Sequence, residues 1–130
     1  FSSSEVTYIY KVEDENRKLM IDRSQMEQVL INLLKNAGEA CIGQPNPEVV
    51  IETVYEEEKH IFRLSIKDNG CGILPEVQER IFIPFFTTKP TGSGIGLSLC
   101  KQIMSLHGGS IRVMSEKGKG SCFMLKLVVK

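Results

Sequence analysis

The sequence predicts an α+β fold, a two-layer sandwich in which a mixed, mostly antiparallel sheet is covered on one face by about three helices. Three observations lead there. Apolar residues recur at helical spacing over 26–41 and again over about 95–106. Short β-branched and aromatic runs alternate with period two. Most of those runs come in pairs joined by tight polar turns, which makes them hairpins. With 130 residues, of which 42% are hydrophobic, the chain is one domain (1–130) with enough apolar mass for a core.

Along the chain, residues 5–12 read as a strand and 18–21 as a short second strand after the polar turn at 14–17. A helix follows. Ser24 and Glu27 have capping-box spacing, and Met26, Val29, Leu30, Leu33, Leu34, Ala37 and Cys41 mark its apolar stripe. Gly43 can take the left-handed cap, and Pro45 and Pro47 forbid continuation. Residues 48–56 and 60–68 form a hairpin about the charged turn Glu56–Lys59, and Pro75–Arg80 starts a short helix. Residues 82–94 break every periodic pattern, and a loop that long in a small domain is usually functional. A second long helix runs to Leu106 and stops at His107-Gly108-Gly109; strands near 110–115 and 120–128 close the chain.

The bulk numbers exclude several classes. Sixteen acidic and sixteen basic residues cancel, so nothing steers the chain to nucleic acid or to an anionic membrane surface. No apolar run could span a bilayer, and no leader pattern stands at the start. The start at Phe1, without an initiator Met, points to a fragment of a longer protein. Cys41, Cys71, Cys100 and Cys122 form no C-x-x-C pair, and His60 and His107 do not cluster with them; they read as free thiols of a reducing cytoplasm, not as zinc ligands.

Three local patterns carry chemistry. Asn32 and Asn36 stand one turn apart on one helix face, inside an apolar stretch where a surface amide pair would be out of place. An amide oxygen is a hard ligand of the kind Mg²⁺ accepts, one or two from protein and the rest from water and phosphate. Asp68-Asn69-Gly70-Cys71-Gly72 ends a strand with a carboxylate that can accept from an exocyclic amine, beside glycines that let a flat ring approach; alone it is an ordinary turn. Gly92-Ser93-Gly94-Ile95-Gly96 opens a helix, where bare N–H groups suit phosphate. It is neither a Walker loop nor a dinucleotide fingerprint.

In order and together, these patterns resemble the boxes of sensor histidine kinases. Asn32-Leu33-Leu34-Lys35-Asn36-Ala37 is similar to the N box, Asp68-Asn69-Gly70-Cys71-Gly72-Ile73 to the first glycine box, and Gly92-Ser93-Gly94-Ile95-Gly96-Leu97 to the second. Phe82-Ile83-Pro84-Phe85-Phe86-Thr87-Thr88-Lys89 resembles the F box of the nitrogen-regulation type. The resemblance covers residues 5 to 128 and places the chain in the superfamily of gyrase, the heat-shock chaperone, histidine kinases and mismatch-repair proteins. It implies a catalytic ATP-binding domain using ATP and Mg²⁺. Asn36 would hold the ion and Asp68 the adenine amine. Gly70 and Gly72 would shape the pocket, with Ala40, Ile73, Leu97 and Phe123 as apolar walls. Residues 82–94 would lie over the phosphates, met by Gly94 and Gly96, with Thr88, Lys89 and Lys35 as further contacts. Ser121 stands where Thr is more usual, and Glu39 where many members carry a Lys. The implied partners are a His-bearing dimerisation domain of the same protein and a downstream response regulator, with no nucleic acid and no direct membrane contact. The fragment itself would be a monomer in the cytoplasm, whether or not the parent is anchored in the inner membrane.

Two other functions compete: an ATP-hydrolysing clamp module of the gyrase or chaperone type, and a nucleotide-binding module without activity. The hydrolysing relatives have a Glu where this chain has Asn32, and a neutral amide cannot take a proton from water. Asn32 could instead orient an incoming imidazole. His107 at a helix end and His60 in a charged turn read as structural or solvated.

Overall fold

The computed structural model describes residues 5–13, 18–86 and 96–129. Five strands form one sheet: β1 (Thr7–Val12), β2 (Glu48–Glu56), β3 (Ile61–Asp68), β4 (Ser110–Glu116) and β5 (Gly120–Val128). Their spatial order is β1-β2-β3-β5-β4. The β2–β3 and β4–β5 hairpins pair antiparallel, as does β3 with β5, while β1 runs parallel to β2. The helices are α1 (Arg23–Ala40), the single turn α2 (Pro75–Gln78) and α3 (Gly96–Leu106). This is the mixed α+β sandwich that the patterning predicts.

Register turns alternation into rows across the sheet. Ile51, Ile66, Phe123 and Val113 make one row, and Thr53, Leu64, Leu125 and Ile111 the next. The long helices close over these rows. Met26, Val29, Leu33 and Ala37 of α1 and Cys100, Ile103 and Met104 of α3 are buried against them in one core. Lys67 and Arg112 belong to the opposite, solvent-facing side and are exposed.

Two expectations need correction. The cap of α1 is Asp22, not Ser24: its backbone is extended, and its Oδ1 accepts from the Gln25 amide at 3.0 Å. Asp caps as well as Ser, and with Asp22 in place Ser24 falls inside the first turn. Residues 18–21 form no strand. The strand they would have paired with, β1, instead takes β2 as its parallel partner, and a parallel pair needs a crossover, here through α1, rather than a hairpin. Leu19 still packs on the core, and the segment is pinned at its end. The Asp22 amide donates to Nε2 of His107 at 3.1 Å, while Nδ1 of that ring lies 2.8 Å from the Ile103 carbonyl. A carbonyl only accepts, so Nδ1 carries the proton and the ring is the neutral strut between the end of α3 and the start of α1. Gly108, at φ 70, ends α3, and the Gly109 amide returns to the Met104 carbonyl at 2.8 Å.

The cap assignment is open to a direct measurement. Asp22→Ala should cost about 0.5–2 kcal/mol in urea unfolding. Ser24→Ala should stay within about 0.5 kcal/mol, as an exposed change away from any cap does. The reverse order would restore Ser24 as the cap.

Candidate functional site

The site grows from one more row of the sheet, at the end of the core: Val49, Asp68, Ser121 and Ser115. Asp68 falls on the helix-facing side by the same parity that buries Ile66, so its carboxylate is held inside, 2% exposed. Two backbone amides support it, Gly70 N donating to Oδ1 at 2.9 Å and Ser121 N to the same carboxylate. Burial pushes the Asp68 carboxyl above its ordinary range, and those two amides pull part of the way back.

The loop after Asp68 is gripped from both sides. A Cβ on Gly70 would collide with the Ala40 carbonyl at the end of α1, and the Cys71 amide donates to that same carbonyl at 3.1 Å. Gly72, at φ 74, leaves no room for a Cβ beside the Glu116 carbonyl, and the Gly118 amide donates to the Cys71 carbonyl at 2.7 Å. Asn69 ties the loop to the start of β2: its Oδ1 accepts from Glu48 N at 2.8 Å, and its Nδ2 donates to the Asn46 carbonyl at 3.0 Å. The glycines are thus demanded by backbone approach, and Ala40 meets the loop through its carbonyl as well as its methyl. Cys71 is exposed on this loop, while Cys41 is buried beneath it.

Asn32 is half-buried where α1 meets α3. Its amide hydrogen-bonds the Cys100 thiol, and a Cβ on Gly96, the first residue of α3, would stand 3.1 Å from its Oδ1. Desolvation raises the Cys100 thiol to about 11, so it stays protonated. Asn36 lies one turn along, also half-buried; Lys35 beside it is exposed. Ile73 and Leu97 pack at the margin of the core. Phe123 is a core residue, 5% exposed, whose ring meets Phe82 edge-on at 6.4 Å. Thr88, Lys89 and Gly94 lie outside the described residues.

Sequence reasoning missed Ser115, Gln78 and Asn69. Ser115 Oγ accepts from Ile73 N at 2.7 Å and lies 2.8 Å from both the Gly120 carbonyl and Ser121 Oγ. Gln78 Nε2 donates to the carbonyls of Ile73 and Ser115. The alternation Ile111, Val113, Ser115 held the only signal for the first. A cavity of about 250 Å³ lies elsewhere, at 18–21, His107 and 127–129. It holds none of the amide, carboxylate or glycine groups described above. Among the described residues no group of three His, Cys, Asp or Glu could hold a metal, and no helix is long and apolar enough to cross a membrane.

Known proteins resemble the chain throughout. A family model described as "Histidine kinase-, DNA gyrase B-, and HSP90-like ATPase" matches residues 21–130. The signal transduction histidine-protein kinase AtoS of Escherichia coli is 39% identical over 124 residues, 95% of this chain and 20% of AtoS. The sensor histidine kinase ZraS of the same organism is 38% identical over 128 residues, 98% of this chain and 27% of ZraS. The chain therefore spans only about a fifth to a quarter of these relatives. Among solved structures, the catalytic domain of histidine kinase ThkA superposes with a TM-score of 0.80 at 34% identity, covering 95% of this chain and 79% of that domain. ThkA in complex with the response regulator protein TrrA gives 0.77 at 31% identity, over 96% of this chain and 34% of that one.

The carboxylate makes a pH prediction. Because burial raises its folded pKa, Asp68 favours folding most when protonated, below the ordinary carboxylate range, and that contribution is lost as pH rises through the folded pKa. Asp68→Asn mimics the neutral form and can still accept from Gly70. The substitution should therefore raise the denaturation midpoint more at about pH 7 than at about pH 3.5. An equal shift at both pH values would mean that the carboxylate is not desolvated.

Proposed function

As the chain belongs to the histidine kinase-, DNA gyrase B- and HSP90-like ATPase family and is the catalytic domain of a two-component histidine kinase, we propose that it binds ATP with Mg²⁺ and donates the γ-phosphoryl to a histidine on a separate dimerisation domain. The observation that carries this reading is the buried carboxylate of Asp68, fixed by two amides beside a glycine loop. Such a group is costly to bury; its two amides offset part of that cost, and the exocyclic amine of adenine, a donor of matching size and polarity, would offset more.

The residues present fit the rest of the nucleotide. Asn36 offers a hard amide oxygen that would hold Mg²⁺, and the ion would supply neutralisation of phosphate charge there. Gly96 opens α3 with backbone N–H groups of the kind that meet phosphate. Thr88, Lys89, Gly94 and the exposed Lys35 supply further candidate contacts. Asn32 is a neutral amide where a water-activating base would be needed for hydrolysis. That favours transfer to a histidine over the gyrase-like or chaperone-like alternative. The response regulator bound by the similar ThkA supports a partner of that class for the parent protein.

Two experiments test the proposal. Asp68→Ala should weaken ATP by about 1.5–3 kcal/mol in calorimetry, the worth of a charge-assisted hydrogen bond. GTP, which presents a carbonyl at that position, should be affected less. Equal ATP affinities would remove Asp68 from the site. With γ-labelled ATP, the chain alone should neither label itself nor release phosphate briskly, since no histidine of its own is held in line with the γ-phosphoryl group. A dimeric His-bearing helical domain added in trans should take up acid-labile label. Label on His60 or His107 would overturn the reading, and brisk phosphate release would favour the hydrolysing relatives.

A further inference from the structure

We infer that Ser115 is a positioning residue that makes Ser121 a pure hydrogen-bond acceptor and so sets the site's preference for a 6-amino over a 6-oxo purine. This rests on the reading of Asp68 as the adenine-binding group.

The inference follows from counting protons. A serine hydroxyl has one proton and two lone pairs. Three groups converge on Ser115 Oγ, which is half-buried: the Ile73 amide at 2.7 Å, the Gly120 carbonyl at 2.8 Å and Ser121 Oγ at 2.8 Å. The Ile73 amide can only donate, so it uses one lone pair. The Gly120 carbonyl can only accept, so it takes the one proton of Ser115. The contact with Ser121 is then satisfied in one direction only, with Ser121 donating and Ser115 accepting. Ser121 is 5% exposed, and its hydroxyl has no second proton to offer. What it can turn toward a ligand is lone pairs.

Ser121 stands directly opposite Asp68 across the β3–β5 pairing, on the same face of the sheet. The Asp68 carboxylate is also an acceptor, and the Ser121 and Gly70 amides already donate to it. Two acceptors therefore stand side by side at the end of one row. A 6-amino purine brings two N–H bonds to that pair. A 6-oxo purine puts an oxygen in place of that amine, so its lone pairs oppose theirs there, and the one proton of that edge sits on N1 instead. An unpaired buried polar group is the strong form of discrimination. Were the Ser121 proton released, it could rotate toward the ligand and rescue the 6-oxo purine. Ser115 holds it back without touching the ligand.

Calorimetry with ATP and inosine triphosphate, each with Mg²⁺, tests this on the parent chain and on Ser115→Ala, Ser115→Thr, Ser121→Ala and the double variant Ser115→Ala/Ser121→Ala. Ser115→Ala should raise inosine triphosphate affinity relative to ATP about three- to tenfold, the worth of one net hydrogen bond. Ser115→Thr keeps the hydroxyl and should keep the parent ratio. Ser121→Ala has no Ser121 proton to release, so adding Ser115→Ala to it should leave the ratio where Ser121→Ala puts it, whereas mere loosening of the loop would raise it further. If Ser115→Ala fails to fold, Ser115→Cys, close in size and a weak acceptor, carries the same comparison. An unchanged ratio in Ser115→Ala, or a double variant whose ratio is raised over that of Ser121→Ala alone, overturns the inference. Asp68→Ala separates the two readings. If it weakens ATP while Ser115→Ala leaves the ratio alone, the adenine reading stands and this one falls. If it leaves ATP unaffected, both fall.

Discussion

The structure depends on a carboxylate that the sheet's own register forces into the core. Alternation on β3 puts Leu64, Ile66 and Asp68 on one side, and the helices cover that side. The apolar positions gain from burial; the last one loses, because a charged group leaves water. Nothing in the local chain could spare Asp68 that cost without shifting the strand by one residue, which would carry Ile66 to solvent as well. The cost is instead offset in place. The chain turns back at Gly70 so that its amide meets Oδ1, and β5 lies close enough for the Ser121 amide to do the same.

That solution sets the demands on the surrounding residues. For the turn to close on Asp68, the loop must pass against the Ala40 carbonyl on one side and the Glu116 carbonyl on the other, and only glycine fits at both passes. The hairpin of β4 and β5 must come equally close, and Gly120, at φ 120, lets it lie against the Asp68 carbonyl. Ser115 and Gln78 then fasten Ile73 and the hairpin together with four hydrogen bonds from two side chains. A site held by backbone approach on three sides has little freedom to adjust to a wrong ligand, which suits recognition by a few fixed acceptors.

Much of this was legible in the sequence because the constraints were local. Period 3.6 in α1 and α3 and period two in β2–β5 follow from which residues face the core, and the Asp68 and Gly96 motifs sit where a strand ends and a helix begins. Other features were not, because they depend on distant chain. Whether β1 pairs with 18–21 or with β2 is decided by what is left to pair once α1 has crossed the sheet. Asp22 and Ser24 are both good caps, and only the helix start chooses between them. Ser115 looks like any strand serine until the turn at 117–119 puts it opposite Ser121.

Asn32 has a packing role beside the one proposed for it in transfer. Its amide lies between α1 and α3, bonded to the Cys100 thiol, which in turn donates to the Val29 carbonyl at 3.8 Å. Gly96 packs on its Oδ1, so the first turn of α3, with the N–H groups proposed to meet phosphate, is seated on the same residue. A glutamate there would put a longer, charged side chain into a region where desolvation already dominates. It would be driven toward its neutral form or would force the helices apart. An amide carries no such penalty. Asn at position 32 therefore suits the junction of α1 and α3, and under the proposed function the same neutral group cannot activate water.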